Sequence, residues 1–310
     1  GEFPFAYLLF EDNAVPVGVE LEAYNPFVPL SAEKSGIPAA IFNWKIKNHR
    51  DSMVNVSLAF IMLNPIKTAD KSGRKGFGKN LNQYIDDGKF RGIKMSSNRA
   101  DVESIDFGSI AFVTSEKDVD VQTRWYRGGW WDDAHIFWDD FADDGRLKVI
   151  TESSESEEGR SDVATLLVYI KLNPGEEKAI PFYLTWYFPN RENYWNREEE
   201  VRGKKFKNFY ATRFKDAWEV ARYLLENEKE LYQDTKKFHD ILFRSTYPSY
   251  VIDALSSQAS SLKTNLVLRT EDGKFFGFEG LSDDAGCCPM NCTHVWNYEQ
   301  TLAYLFPCLE

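Results

Sequence analysis

The sequence predicts a mostly β protein with α elements: an N-terminal β-sandwich followed by helices. Between Phe5 and about Pro189, short runs rich in Val, Ile, Phe, Tyr and Thr are broken by Gly, Pro, Asn and Asp, which is the punctuation of strands. Within these runs the polarity alternates, with Phe42, Trp44 and Ile46 set against Asn43, Lys45 and Lys47, so that one face meets a core and the other meets water. After Phe188 the period changes, because Phe214, Ala217, Trp218, Ala221, Leu224 and Leu225 recur at the three-and-four spacing of an amphipathic helix. The 310 residues, 43% hydrophobic and 15% aromatic, suffice to bury one full core and a second smaller one.

The strands expected in order are Val17 to Glu22, Ala39 to Lys47, Met53 to Leu63, Ile105 to Thr114, Val163 to Leu172 and Ala179 to Phe188. Pro174 and Gly175 in Asn173-Pro174-Gly175-Glu176-Glu177 favour a tight reversal, which reads as a hairpin joining the last two. Thr151 to Arg160, with three serines and four glutamates, has no apolar residue to dock and reads as a mobile loop. Helices are expected over Phe206 to Glu230, Leu231 to Phe243 and, after the break at Tyr247-Pro248, Ser249 to about Lys263. Leu266 to Arg269 and Lys274 to Phe278 then flank a turn at Asp272-Gly273, and the second strand delivers Glu279. Thr293 to Leu309 reads as a last helix, with Asn291 or Thr293 as its N-cap. The organisation expected is a sandwich over 1–200, linking helices over 201–265 and a further unit from 266 to 310.

A net charge of −11 and a pI near 5.1 oppose a nucleic-acid partner, whose phosphates would be repelled. The longest apolar run, Met53 to Leu63, is interrupted by Asn55 and Ser57 and falls short of a membrane span. All four cysteines, Cys287, Cys288, Cys292 and Cys308, lie near the end of the chain, which is not a secreted disulfide framework. With no basic stretch ahead of an apolar core at Gly1 to Ala6, the expectation is a reducing, cytoplasmic setting.

The chemistry-bearing residues crowd into the last forty positions. Glu279, followed by Gly280 and preceded by Phe276 and Phe278, has the surroundings of a carboxylate at a sugar site, where glycosidic hydrolysis needs two carboxyl groups. The aromatic rings would stack on the sugar or wall it in; the competing reading is a glutamate that ends a strand in water. Glu299 shares a helix face with Trp296 and reads more readily as a solvated helix residue. Cys287, Cys288, Cys292 and His294 carry zinc-ligand types without the spacing of a zinc site. His294, with Thr293 beside it near a helix start, suits a neutral imidazole bonding a sugar hydroxyl. Upstream, Trp125, Trp130, Trp131 and Trp138 among Asp132, Asp133, Asp139 and Asp140 suit either a sugar platform or a bulky interdomain contact, and Asp139, Asp140, Asp143 and Asp144 also have the ligand type for a calcium ion.

The chain resembles the non-lysosomal glucosylceramidases and bacterial β-glucosidases of glycoside hydrolase family 116. The resemblance rests on Phe3 to Ala6, Leu21 to Leu30, Trp186 to Arg191 and above all Asn291 to Tyr298. It implies an N-terminal β-sandwich connected by helices to an (α/α) barrel, of which residues 266–310 would be the first segment. It implies a retaining mechanism with a glutamate nucleophile in a Glu-Gly step before Asn-Thr-Tyr-Asp and an aspartate acid/base further on. Glu279-Gly280 has only the first half of that pattern. Both catalytic carboxylates are therefore expected beyond Glu310, leaving Glu279, Thr293, His294, Trp130 and Trp131 as substrate-binding candidates. No cofactor or metal is implied; the partners are a glucoside or glycolipid and the barrel itself, and whether a membrane surface supplies the substrate is left open. The alternative from another class is a carbohydrate-binding or interaction module without chemistry of its own.

Overall fold

The structure is a computed structural model that describes residues 1–70, 72–130, 132–282, 285–291 and 300–309. Its elements are β1 (Phe5–Phe10), β2 (Val17–Tyr24), α1 (Ala32–Ser35), β3 (Ala39–Asn48), β4 (Val54–Leu63), β5 (Thr68–Ala69), β6 (Lys75–Gly76), β7 (Asn80–Asp86), β8 (Arg91–Ser97), β9 (Ser109–Thr114) and β10 (Val119–Gln122). There follow α2 (Asp132–Asp144), β11 (Val163–Leu172), β12 (Glu177–Tyr187), β13 (Asn190–Glu192), β14 (Lys205–Lys207), α3 (Ala217–Phe243), α4 (Ser249–Ser261), β15 (Val267–Arg269), β16 (Phe275–Gly277), β17 (Gly280–Leu281), β18 (Gly286–Cys287) and α5 (Leu302–Leu305). Strand exceeds helix, 35% to 24%, so the fold is the mostly β class expected.

Two antiparallel sheets face each other. The larger runs β1-β2-β3-β12-β9-β8-β7 and the smaller β10-β11-β4. Ile46, Ile93, Phe112, Ile180 and Phe182 from the first interdigitate with Leu166, Val168, Ile170 and Phe60 from the second, with the Phe60 and Phe112 rings stacked 5.1 Å apart. The alternation at Phe42, Trp44 and Ile46 points these side chains into that core. The opposite face of the large sheet is not left to water: Ala39, Ile41, Ala111, Val113 and Tyr183 pack under α3 through Ala217, Trp218, Val220, Ala221 and Leu224. On the far side α2 covers the small sheet, Phe137 packing with Leu147 and Leu167. The layers therefore run α2, small sheet, large sheet, α3.

Three expectations are corrected. Residues 173–177 do form a tight turn, with Glu176 N–H donating to Asn173 O at 3.0 Å and Gly175 at φ 72°. The strands on either side, however, do not pair. Leu172 lies opposite Val54 in one sheet and Glu177 opposite Lys47 in the other, so the turn is an arch between sheets. Both strands carry an apolar row, and facing each other buries both rows, which lying side by side as a hairpin does not. Secondly, the helices expected over Phe206 to Glu230 and Leu231 to Phe243 are one, α3, starting at Ala217. Its start is set by the Asp216 side chain, which accepts from Glu219 N–H at 2.8 Å, and by Ala217 N–H donating to Ser109 Oγ at 2.9 Å. Leu231, Thr235 and His239, four apart, are buried along its second half, and no breaker divides them.

Thirdly, residues 151–160 are docked along β7. Ser156 N–H donates to Asn80 O at 2.9 Å, Lys79 N–H donates to Ser156 O, and Ser153 Oγ donates to Asn82 O at 2.9 Å. A segment without apolar residues is ordered here because an open sheet edge offers its backbone groups partners. No described helix is long and apolar enough to cross a membrane.

Candidate functional site

Beside the sandwich, a cavity of about 960 Å³ opens between the loop linking β2 to β3, the end of β12, the segment after α4, and α5. Its floor is hydrophobic: Phe27, wholly buried, meets Phe306 edge-on at 5.4 Å, and Ala259 and Leu302 close the cluster. Phe27 N–H donates to Thr235 Oγ1 at 3.1 Å and Leu30 N–H to Leu305 O at 2.6 Å, which ties the loop to α3 and α5. Tyr210 donates its hydroxyl to Phe188 O at 2.6 Å, fixing the turn after β12.

Ionisable side chains on this wall are mostly basic. Arg191 donates through Nε to Asn208 Oδ1 at 2.8 Å, and burial pulls its pKa below the usual value. Arg213 donates Nη1 to Glu33 O at 2.6 Å and lies over the Phe214 and Tyr223 rings. Arg269 lies 3.4 Å over the Phe209 ring. Lys263 donates Nζ to Pro26 O at 3.3 Å and to Ser35 O, and burial alone pulls its pKa down to about 7. Glu33 is the one carboxylate among the described lining residues.

Lys263 makes stability depend on pH. Unfolded, it keeps its proton up to its ordinary value of 10.5; folded, it loses it near 7, so between these limits the unfolded chain binds the extra proton. Stability should therefore rise as pH climbs from about 7 towards 10.5, with the burial penalty fully felt below 7. Urea unfolding at pH 6.5 and 9.5 should show this gain in the natural chain and a smaller one in Lys263→Met. Equal gains in both would refute the assignment.

Glu279 stands next to the cavity, in the segment between β16 and β17; Leu281 lines the wall two residues on. Phe278 does not face a substrate. It is 2% exposed and packed against Tyr194 and Trp195, with ring centroids 6.1 and 5.5 Å away. Phe278 thus anchors the β17–β18 hairpin rather than offering a sugar platform, since a ring enclosed on both sides has no face to present, whereas Phe275 lines the cavity. Gly286 belongs to the same arrangement: it donates its N–H to Tyr194 Oη at 2.7 Å, and a Cβ there would lie 2.2 Å from Phe278 Cγ. Gly286→Ala should cost about 1–3 kcal/mol by overpacking. Thermal unfolding indistinguishable from the natural chain would show that the ring can move aside.

Trp130 lies elsewhere, 90% exposed in the loop before α2, and contributes nothing to the cavity wall. Its neighbour Trp125 is structural: it stacks on Phe137 at 4.3 Å and donates Nε1 to Thr165 Oγ1 at 2.8 Å. The helix α2 was missed by sequence reasoning, although Ala134, Phe137, Trp138 and Phe141 show the helical spacing that could have found it. The aspartates there serve the backbone, Asp140 accepting from Lys148 N–H and Asp144 from Arg146 N–H, both at 2.8 Å. Trp131, Cys292, Thr293, His294 and Glu299 lie outside the described residues, as does most of the Asn291 to Tyr298 motif. Cavity cations such as Arg213 and Arg269 were also missed, because nothing in their local sequence marks them as neighbours.

Residues 1–231 match the family described as beta-glucosidase 2, glycosyl-hydrolase family 116 N-term. The chain belongs to this family. The match spans every strand of the sandwich and the first part of α3, the elements on which one wall of the cavity rests. Membership in family 116 places the chain among glycoside hydrolases. No curated protein matches it.

Proposed function

We propose that this chain is the N-terminal portion of a retaining glycoside hydrolase that cleaves β-glucosides or glucosylceramide-like substrates, with its glutamate nucleophile and aspartate acid/base outside residues 1–310. The family match over residues 1–231 carries the reading. In this reading the sandwich and α3 are a rigid platform, and Glu279 contributes to substrate binding without attacking the sugar.

Incubating the full-length protein with a 2-deoxy-2-fluoro-glucoside and locating the adduct by mass spectrometry tests this. A label on a glutamate outside residues 1–310 is expected; a label on Glu279 would keep the enzyme and overturn the residue assignment. Failure of the folded protein to take any label would count against β-glucosidase activity. Glu279→Gln in the complete enzyme should lower kcat/KM only partially, and complete loss restored by an added external nucleophile would make Glu279 the nucleophile.

A second reading, a carbohydrate-binding surface, is favoured by the exposure of Trp130 and Trp138 beside α2. It expects glucan binding that Trp130→Ala abolishes and His294→Ala leaves intact; glucan binding insensitive to Trp130→Ala would remove it.

A further inference from the structure

We propose that the cavity beside the sandwich binds a small organic anion, Arg269 and Arg213 taking the carboxylate or phosphate while the apolar floor at Phe275 and Leu302 holds its body. In a chain of net charge −11, three arginines and Lys263 line this one cavity, and none of Arg191, Arg213, Lys263 and Arg269 has a carboxylate within ion-pair distance among the described residues. Among the described residues Nη1 of Arg269, a lining residue, is a buried donor without a hydrogen-bond partner; Oδ1 of Asn25, also unpartnered, is an acceptor and does not assist an anion. A buried unpaired group costs free energy, and a guanidinium fork left half-used is the geometry that takes an oxyanion. The volume, about 960 Å³, suits a small molecule, and the mostly apolar lining with a few polar groups is that of a ligand site. Glu33 lies in the field of Arg269 and accepts from Arg213 only at its backbone oxygen, so it leaves both guanidiniums with N–H groups to spare.

This inference does not depend on the glucosidase reading, because it concerns a non-catalytic site, and the fluoroglucoside result bears on neither its success nor its failure. The test is isothermal titration calorimetry of the full-length protein with inorganic phosphate, phenyl phosphate, benzoate and, as the neutral control, benzyl alcohol. Saturable binding of phenyl phosphate or benzoate at one site is expected, stronger than that of inorganic phosphate and absent for benzyl alcohol. Whichever of the two anions binds more tightly identifies the ligand as phosphate or carboxylate. Arg269→Gln and Arg213→Gln should each weaken it about tenfold or more, as loss of a charge-assisted hydrogen bond does. Trp138→Ala, on the far side of the sandwich, should not change it. Two variants guard against one failing to fold. Binding equal for benzyl alcohol, unaltered in both arginine variants, or undetectable for every anion would overturn the proposal.

Discussion

Asn48→Leu should destabilise the sandwich by about 3 kcal/mol or more, the penalty for several buried carbonyls left without donors. Asn48 is 1% exposed and sits where the two arches between sheets cross, one from β3 to β4 and the other from β11 to β12. Its Nδ2 donates to Ser52 O, Leu172 O and Asn173 O at 2.8, 3.1 and 3.0 Å, while Oδ1 accepts from Arg50 N–H at 2.8 Å. Its backbone N–H donates to Glu176 O. One side chain therefore closes both arches, and leucine of similar size replaces none of the side-chain bonds. Urea unfolding of the chain measures the loss; a change below about 1 kcal/mol would mean that water or a backbone shift supplies the missing donors.

The second large effect is expected at Gly92, inside β8. A Cβ there would lie 2.2 Å from Phe112 O and 2.6 Å from Val113 Cα, both backbone atoms of the paired strand β9. Backbone in the middle of a seven-stranded sheet cannot yield without opening the β8–β9 ladder. Gly92→Ala should therefore cost about 3 kcal/mol or more, the upper end for overpacking, and reduce soluble yield. Gly129→Ala, where a Cβ meets nothing within 4 Å, is the matched control and should be nearly neutral. Equal stability of the two variants would show that β8 has room the structure does not record.

Much of the sandwich was legible because each strand announces itself locally. The alternation in β3 and the continuous apolar run in β11 are properties of a few adjacent residues, and a period of two leaves little choice of conformation. Partnership was not legible to the same degree. The turn at Pro174-Gly175 reads identically whether it makes a hairpin or an arch, and only the apolar rows of β11 and β12, each needing a facing layer, decide between them. Residues 151–160 were misread for the same reason: their order comes from the open edge of β7, which lies some seventy residues earlier in the chain.

The candidate site divides in the same way. Glu279 and its aromatic neighbours stood out from composition, yet Phe278 is anchored by Tyr194 and Trp195, more than eighty residues upstream, and so serves packing. The basic cavity had no local sign at all, since Arg191, Arg213, Lys263 and Arg269 are each ordinary in their own segment.

The sequence by itself determined the mostly β class, the change to helix after the sandwich and, through its motifs, the resemblance to family 116, because these depend on residue order and short-range periodicity. Tertiary structure alone decided which strands share a sheet, where α3 begins, which aromatic rings are core, and that three arginines and a lysine from separate segments line one cavity. Those outcomes rest on contacts between residues far apart in the chain, whose energies no local stretch of sequence contains.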